Sequence, residues 1–144
     1  MKFAEFHVGQ VIEAGPYTLS EQDILDFATQ WDPQWFHTNP EAAAAGPFGG
    51  LIASGWQTCC VAMRLVAQVA LEGSESFASP GLESIRWPHP VRPGEPLTLK
   101  AEVTGVRRSE KRPELGVLNW TWRLFHADGR MALELQATSL FKLA

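Results

Sequence analysis

The run from Leu51 to Leu71 is almost uninterrupted apolar sequence, so the chain must either cross a membrane with it or bury it as a long helix. Gln57, Arg64 and Gln68 lie within it, and polar or charged groups at that depth of a bilayer are expensive. On a 3.6-residue helix these three fall within about 20° of a common line, a narrow polar stripe on an otherwise apolar rod. The run reads as a helix wrapped nearly all round by protein, with the stripe meeting water or a partner subunit. Cys59 and Cys60 are adjacent inside it, which suits neither an ordinary disulfide nor a spaced metal motif. They read as small buried hydrophobes.

The apolar pattern changes type once, near residue 80. Before it, Ser20 and Asp23 form an N-cap and its third-position acid, and Ile24, Leu25, Phe27, Ala28 and Trp31 follow at helical spacing until Asp32-Pro33. This predicts a helix from Glu21 to Trp31. Asn39-Pro40-Glu41 predicts a short helix from Pro40 to Ala45, ended by Gly46-Pro47. After residue 80, apolar and polar residues alternate over Leu82–Trp87, Leu97–Arg107, Leu115–His126 and Arg130–Lys142, separated by turn-like sequence. A further short strand is expected over Val11–Leu19. One long apolar helix and a twisted antiparallel sheet can bury each other if the sheet curls around the helix, an α+β architecture known as the hotdog fold. At 144 residues the chain is expected to form one domain, residues 1–144, with no room for a separate cofactor domain.

Several function classes fall away. A net charge of −4, with no cationic stripe, argues against nucleic acid. His7, His37, His89 and His126 lack the paired spacing of a zinc site, so no metal is expected. Acid and imidazole stand among the first seven residues where a secretory signal would be apolar, which points to the cytoplasm.

The segment Trp31-Asp32-Pro33-Gln34-Trp35-Phe36-His37, then Ala42 to Ala45, then Phe48-Gly49-Gly50-Leu51-Ile52-Ala53-Ser54-Gly55, resembles the MaoC-like hydratases and dehydratases, which include the (R)-specific enoyl-CoA hydratases. The family's Asp, four residues, His, alanine-rich turn and Phe-Gly entry into an Ile-Ala-x-Gly helix start all fall in order. Arg86-Trp87-Pro88-His89-Pro90-Val91-Arg92-Pro93-Gly94-Glu95-Pro96-Leu97 resembles the family's second signature, so the likeness covers nearly the whole chain. The chain departs from it at Gln34-Trp35, where relatives often have Asn-Pro, at Asn39 for a common Asp, and at Ser54 for a common His.

Hydrating a 2-enoyl thioester needs a water aimed at C3, a proton delivered to C2, and a donor for the charge that builds on the thioester oxygen. The resemblance implies that Asp32 and His37 hold the water, with the two proton steps left open between them. It also implies that the Gly55 N–H, taken to lie one turn inside the helix, is the oxyanion donor. Trp35, Phe48, Gly49, Gly50 and Ser54 are expected beside the substrate, with Trp35 narrowing the acyl pocket. Gly49-Gly50 is read as a tight turn, because no Lys-Ser/Thr follows to make a phosphate cradle. Among Arg86, Arg92, Arg107, Arg108, Lys111 and Arg112 the sequence singles out no contact to coenzyme A. The tryptophans, Trp87, Trp120 and Trp122 among them, are expected to pack the sheet against the helix or against a second chain.

The expected activity is therefore a lyase acting on an acyl thioester, carried on coenzyme A or acyl carrier protein, with no further cofactor. A hotdog thioesterase is the nearest enzyme alternative, but the central helix has no Asp or Glu before Glu72. A non-catalytic acyl-thioester binder or the structural half of a heteromeric dehydratase is the other class, and it needs neither Asp32 nor His37. Uncovered sheet edges predict a homodimer joined edge to edge.

Overall fold

The computed structural model describes residues 1–144. In chain order it runs β1 (Val11–Thr18), α1 (Glu21–Trp31), α2 (Trp35–Thr38), α3 (Pro40–Ala44), α4 (Gly55–Val66), β2 (Ser76–Ala78), β3 (Leu82–Arg86), β4 (Pro96–Arg108), β5 (Leu115–His126) and β6 (Met131–Lys142). A wider turn of π geometry over Ala67–Leu71 closes α4. The sheet is antiparallel in the order β1-β4-β5-β6, with β2 and β3 both paired to the far side of β6. This is the hotdog arrangement, a sheet curled around one helix.

Register explains how two large indoles fit into one layer of core. Across β4, β5 and β6, Ala101 faces Trp122 and Trp122 faces Leu135, while Val103 faces Trp120 and Trp120 faces Ala137. Each tryptophan thus has an alanine on one side, and all six side chains are buried. The Trp120 indole N–H donates to Ser139 Oγ at 3.1 Å, which removes the cost of burying it. Leu99, Leu124 and Leu133 form the next row, and burying a side chain of that size stabilises by about 1.5–3 kcal/mol. On the outer face Arg123 bonds Glu102 and Glu134 across the same strands.

The predicted elements fall within a residue or so of the observed ones, with three additions, the first a 3-10 turn over Phe3–Glu5 ahead of β1. The single helical turn α2 carries His37, and the three-residue strand β2 pairs with β6. Neither is long enough to show a period. The buried helix differs more. Leu51–Ser54 is not helical, because its backbone is used elsewhere: Ile52 N–H donates to Phe36 O and Ala53 N–H to Val91 O. α4 therefore begins only at Gly55.

α4 is also not wrapped all round. Val61, Ala62, Leu65 and Val66 face the core, but Trp56, Cys60 and Met63 are exposed and Cys59 is half-buried. The cysteines are therefore not the buried pair that the apolar run suggests. The polar stripe divides as well. Gln57 is buried and its amide donates to Asp23 O of α1 at 3.0 Å, whereas Arg64 and Gln68 are exposed, with Arg64 lying over the Tyr17 ring. No helix is long and apolar enough to cross a membrane.

Candidate active site

Asp32 stands where α1 must stop. Its N–H closes the last turn on Ala28 O, and Pro33 cannot continue the ladder. The chain turns back through Gln34, whose N–H donates to Asp32 O, and α2 then lifts His37 towards the Asp32 side chain. Asn39 caps α3 by accepting from Ala42 N–H at 3.1 Å, so it serves the local fold as the more common Asp would.

His37 is 5% exposed, and its Nδ1 lies 2.7 Å from Ile52 O. A carbonyl oxygen can only accept, so Nδ1 carries a proton, and the other nitrogen of the neutral ring is a bare acceptor. That nitrogen, Nε2, faces Asp32 Oδ2 at 3.3 Å. Two acceptors at this spacing repel unless a proton lies between them, on the ring or on a bridging water.

The carboxylate has its own partners. Gln34 Nε2 donates to Asp32 Oδ1 and Ser54 Oγ to Asp32 Oδ2, each at 2.7 Å. Burial pushes the Asp32 carboxyl up, but the hydrogen bonds from Gln34 and Ser54, together with the attraction of the His37 imidazole when that ring is protonated, outweigh it and hold the group below its ordinary value.

Gly55 is the first residue of α4, not a residue one turn inside it, because Ser54 is the N-cap. As a first-turn amide the Gly55 N–H has no intrahelical acceptor, and Gly55 lines the same pocket as Asp32 and His37. Trp87 explains why this residue is glycine. Its indole N–H donates to Gly55 O at 3.0 Å, and a Cβ on Gly55 would lie 2.5 Å from the ring.

The pocket has a volume of about 440 Å³. Phe48 lines it as expected, and so do Gln34, Trp56, Trp87 and His89, which sequence reasoning did not single out. Trp35 is elsewhere, 48% exposed with its ring against Gly46. Gly49 has a positive φ of 65° and makes the tight turn expected, but neither it, nor Gly50, nor the fully buried Ser54 lines the pocket. Trp56 and Trp87 meet edge to face at 5.8 Å, and the exposed Trp56 also forms part of the wall of a second, apolar cavity of about 490 Å³. Of the candidate cations, Arg86, Arg108 and Arg112 are engaged with Glu134, Pro113 O and Glu114.

This arrangement accompanies a clear likeness in sequence: the model of the MaoC like domain matches residues 3–119. The chain belongs to the MaoC-like family. Among curated relatives it is 36% identical to the uncharacterized protein YdeM of Bacillus subtilis over 118 residues, 82% of each chain. It is also 36% identical to the 3-hydroxyacyl-thioester dehydratase Z of Mycobacterium tuberculosis over 91 residues, 62% of this chain and 60% of that enzyme. The solved MaoC-like dehydratase of Rhodospirillum rubrum superimposes with a TM-score of 0.89 at 28% identity, covering 98% of this chain and 96% of that one. A hydratase or dehydratase role follows for this MaoC-like chain at the level of the family.

Proposed function

We propose that the protein adds water to 2-enoyl thioesters, or removes it from 3-hydroxyacyl thioesters, with the (R) configuration at C3. The observation that carries this reading is the opposition of His37 Nε2 and Asp32 Oδ2 at 3.3 Å in a pocket shared with the free amide of Gly55.

In the hydration direction one O–H of the water donates to Nε2 and the other to Oδ2. The water oxygen attacks C3 as its proton moves to Nε2. The electron pair of the C2–C3 double bond shifts towards C2 and the thioester oxygen, where the Gly55 N–H stabilises the charge. The proton on Nε2 then passes to C2, which restores the neutral ring and leaves a 3-hydroxyacyl thioester. Dehydration is the reverse.

Beyond Trp56 the apolar cavity offers a place for an acyl chain. It is walled by Cys59, Cys60 and Met63 of α4, Leu82 of β3 and Trp122, Leu135 and Ala137 of the sheet. Burial of Cys59 pushes its thiol up, which leaves it a poor nucleophile and weighs against a cysteine-based thioesterase. We also propose a homodimer. β3 pairs with β6 on one side only, and exposed Phe77, Leu82 and Trp87 lie on or next to that edge.

The test is incubation of crotonyl-CoA with the protein, followed by loss of the 2-enoyl absorbance and by chiral analysis of the product. (R)-3-hydroxybutyryl-CoA is expected. Free crotonate and coenzyme A would replace this reading with hydrolysis, and bound but unconverted thioester would replace it with a carrier. Sedimentation at micromolar concentration tests the dimer, and a monomer there would contradict it.

A further inference from the structure

Both oxygens of Asp32 are occupied by donors that a general acid or base would not need. Gln34 Nε2 donates to Oδ1 and the Ser54 hydroxyl to Oδ2, at 2.7 Å in both cases. Ser54 is fully buried, and its Oγ simultaneously accepts from Trp56 N–H at 3.3 Å. One side chain thus joins the N-terminus of α4 to the carboxylate at the C-terminus of α1. That junction answers an electrostatic problem. A carboxylate at the end of α1 meets the negative end of its helix dipole, whereas the α4 N-terminus, reached through Ser54, favours negative charge.

We propose that Ser54 and Gln34 are positioning residues, which fix Asp32 as a permanent anion that orients the water and leave His37 as the carrier of the proton. The proposal rests on the hydro-lyase reading above, which already passes the proton through His37, and adds to it the two groups that hold Asp32 ionised and in place. Hydrogen bonds to a charged acceptor strengthen with its charge, so protonating Asp32 would weaken two bonds at once. The neutral His37 ring, with Nδ1 committed to Ile52 O, keeps Nε2 free to take a proton and return it.

Few other ionisable groups reach the carboxylate. His37 comes from α2, and His89 lines the same pocket from the loop after β3. The first turn of α4 brings only Ser54, Gly55 and Trp56. On α1 itself, Asp23 is held in the Ser20 cap and Asp26 accepts from Gln22.

Ser54→Ala, Ser54→Thr and Gln34→Ala test the assignment by two independent readouts. The first is the pH profile of kcat/KM for crotonyl-CoA hydration. The second is the titration of the Asp32 side-chain carboxyl followed by carbon NMR, which needs no turnover. Loss of either donor is expected to lower kcat/KM about tenfold and to move the acid limb and the Asp32 titration together to higher pH. Ser54→Thr keeps a hydroxyl and is expected to restore both. Gln34 is exposed, so its variant keeps the fold if Ser54→Ala does not. An Asp32 titration unmoved in Gln34→Ala and Ser54→Ala, with only thermal stability changed, would reduce Ser54 to a helix cap and overturn the proposal. A shifted titration in a protein whose wild type hydrates nothing would support the hold on Asp32 and overturn the hydro-lyase reading instead.

Discussion

Two cavities of similar size meet at Trp56, and they are built in opposite ways. The first, about 440 Å³, is assembled from loops and helix ends, and directed hydrogen bonds hold its polar groups: Asp32 by Gln34 and Ser54, His37 by Ile52 O, Gly55 by Trp87. The second, about 490 Å³, is walled by apolar side chains of a regular helix and sheet, with little polar lining. The first can aim a water and hold charge, because its groups are fixed in direction. The second can only measure size and apolarity. A chemical step in one and an acyl chain in the other is the division of labour that this contrast suggests, with Trp56 as the shared wall.

The contrast breaks most sharply if the directed groups are removed. His37→Ala and Asp32→Asn are each expected to lower kcat/KM for crotonyl-CoA hydration by about 10²–10⁴, with circular dichroism unchanged. Gly55→Ala is the next largest. Its Cβ would fall 2.5 Å from the Trp87 ring, so either that ring or the start of α4 must shift, and displacement of the proposed oxyanion donor is expected to cost about 10²–10³ in kcat. The double variant Gly55→Ala/Trp87→Ala is expected to recover part of that loss, since the clash is gone. A double variant no better than Gly55→Ala would mean that the clash is not the cause.

Trp56→Ala sharpens the comparison from the other side by opening the wall. The ratio of kcat/KM for an eight-carbon 2-enoyl thioester over crotonyl-CoA is expected to rise about tenfold, the scale of a few methylenes in an apolar pocket. An unchanged ratio would separate the second cavity from the acyl chain. The smallest effect is that of Asn39→Ala, a lost helix cap. Chemical denaturation should show about 1 kcal/mol of destabilisation, with KM unmoved.

The same contrast explains what could be read from the chain. Asp32, His37 and Gly55 were singled out by their resemblance to the MaoC-like motif, since spacing alone does not separate them from a turn residue, a core histidine and a packing glycine, and the structure brings all three to one pocket. The sheet was legible because alternation reports a single buried face, and the Ala101–Trp122 and Trp120–Ala137 pairings then follow from register. The contribution of Trp56 and Trp87 was not. They are 31 residues apart in sequence and meet only because the segment after β3 folds back over the start of α4. Trp35 misled for the converse reason. Its closeness in sequence to His37 suggested the pocket, but its ring turns away from the pocket and packs on Gly46. The exposed face of α4 was hidden too, since an apolar run looks the same whether one face or all of it is buried.

Isotope exchange tests most directly whether this pocket moves water on and off carbon. Incubated with (R)-3-hydroxybutyryl-CoA in water enriched in oxygen-18, the protein is predicted to place the label in the C3 hydroxyl while the thioester stays intact. Label appearing only in the carboxylate of released acid, or no label at C3 after prolonged incubation with bound thioester, would contradict it.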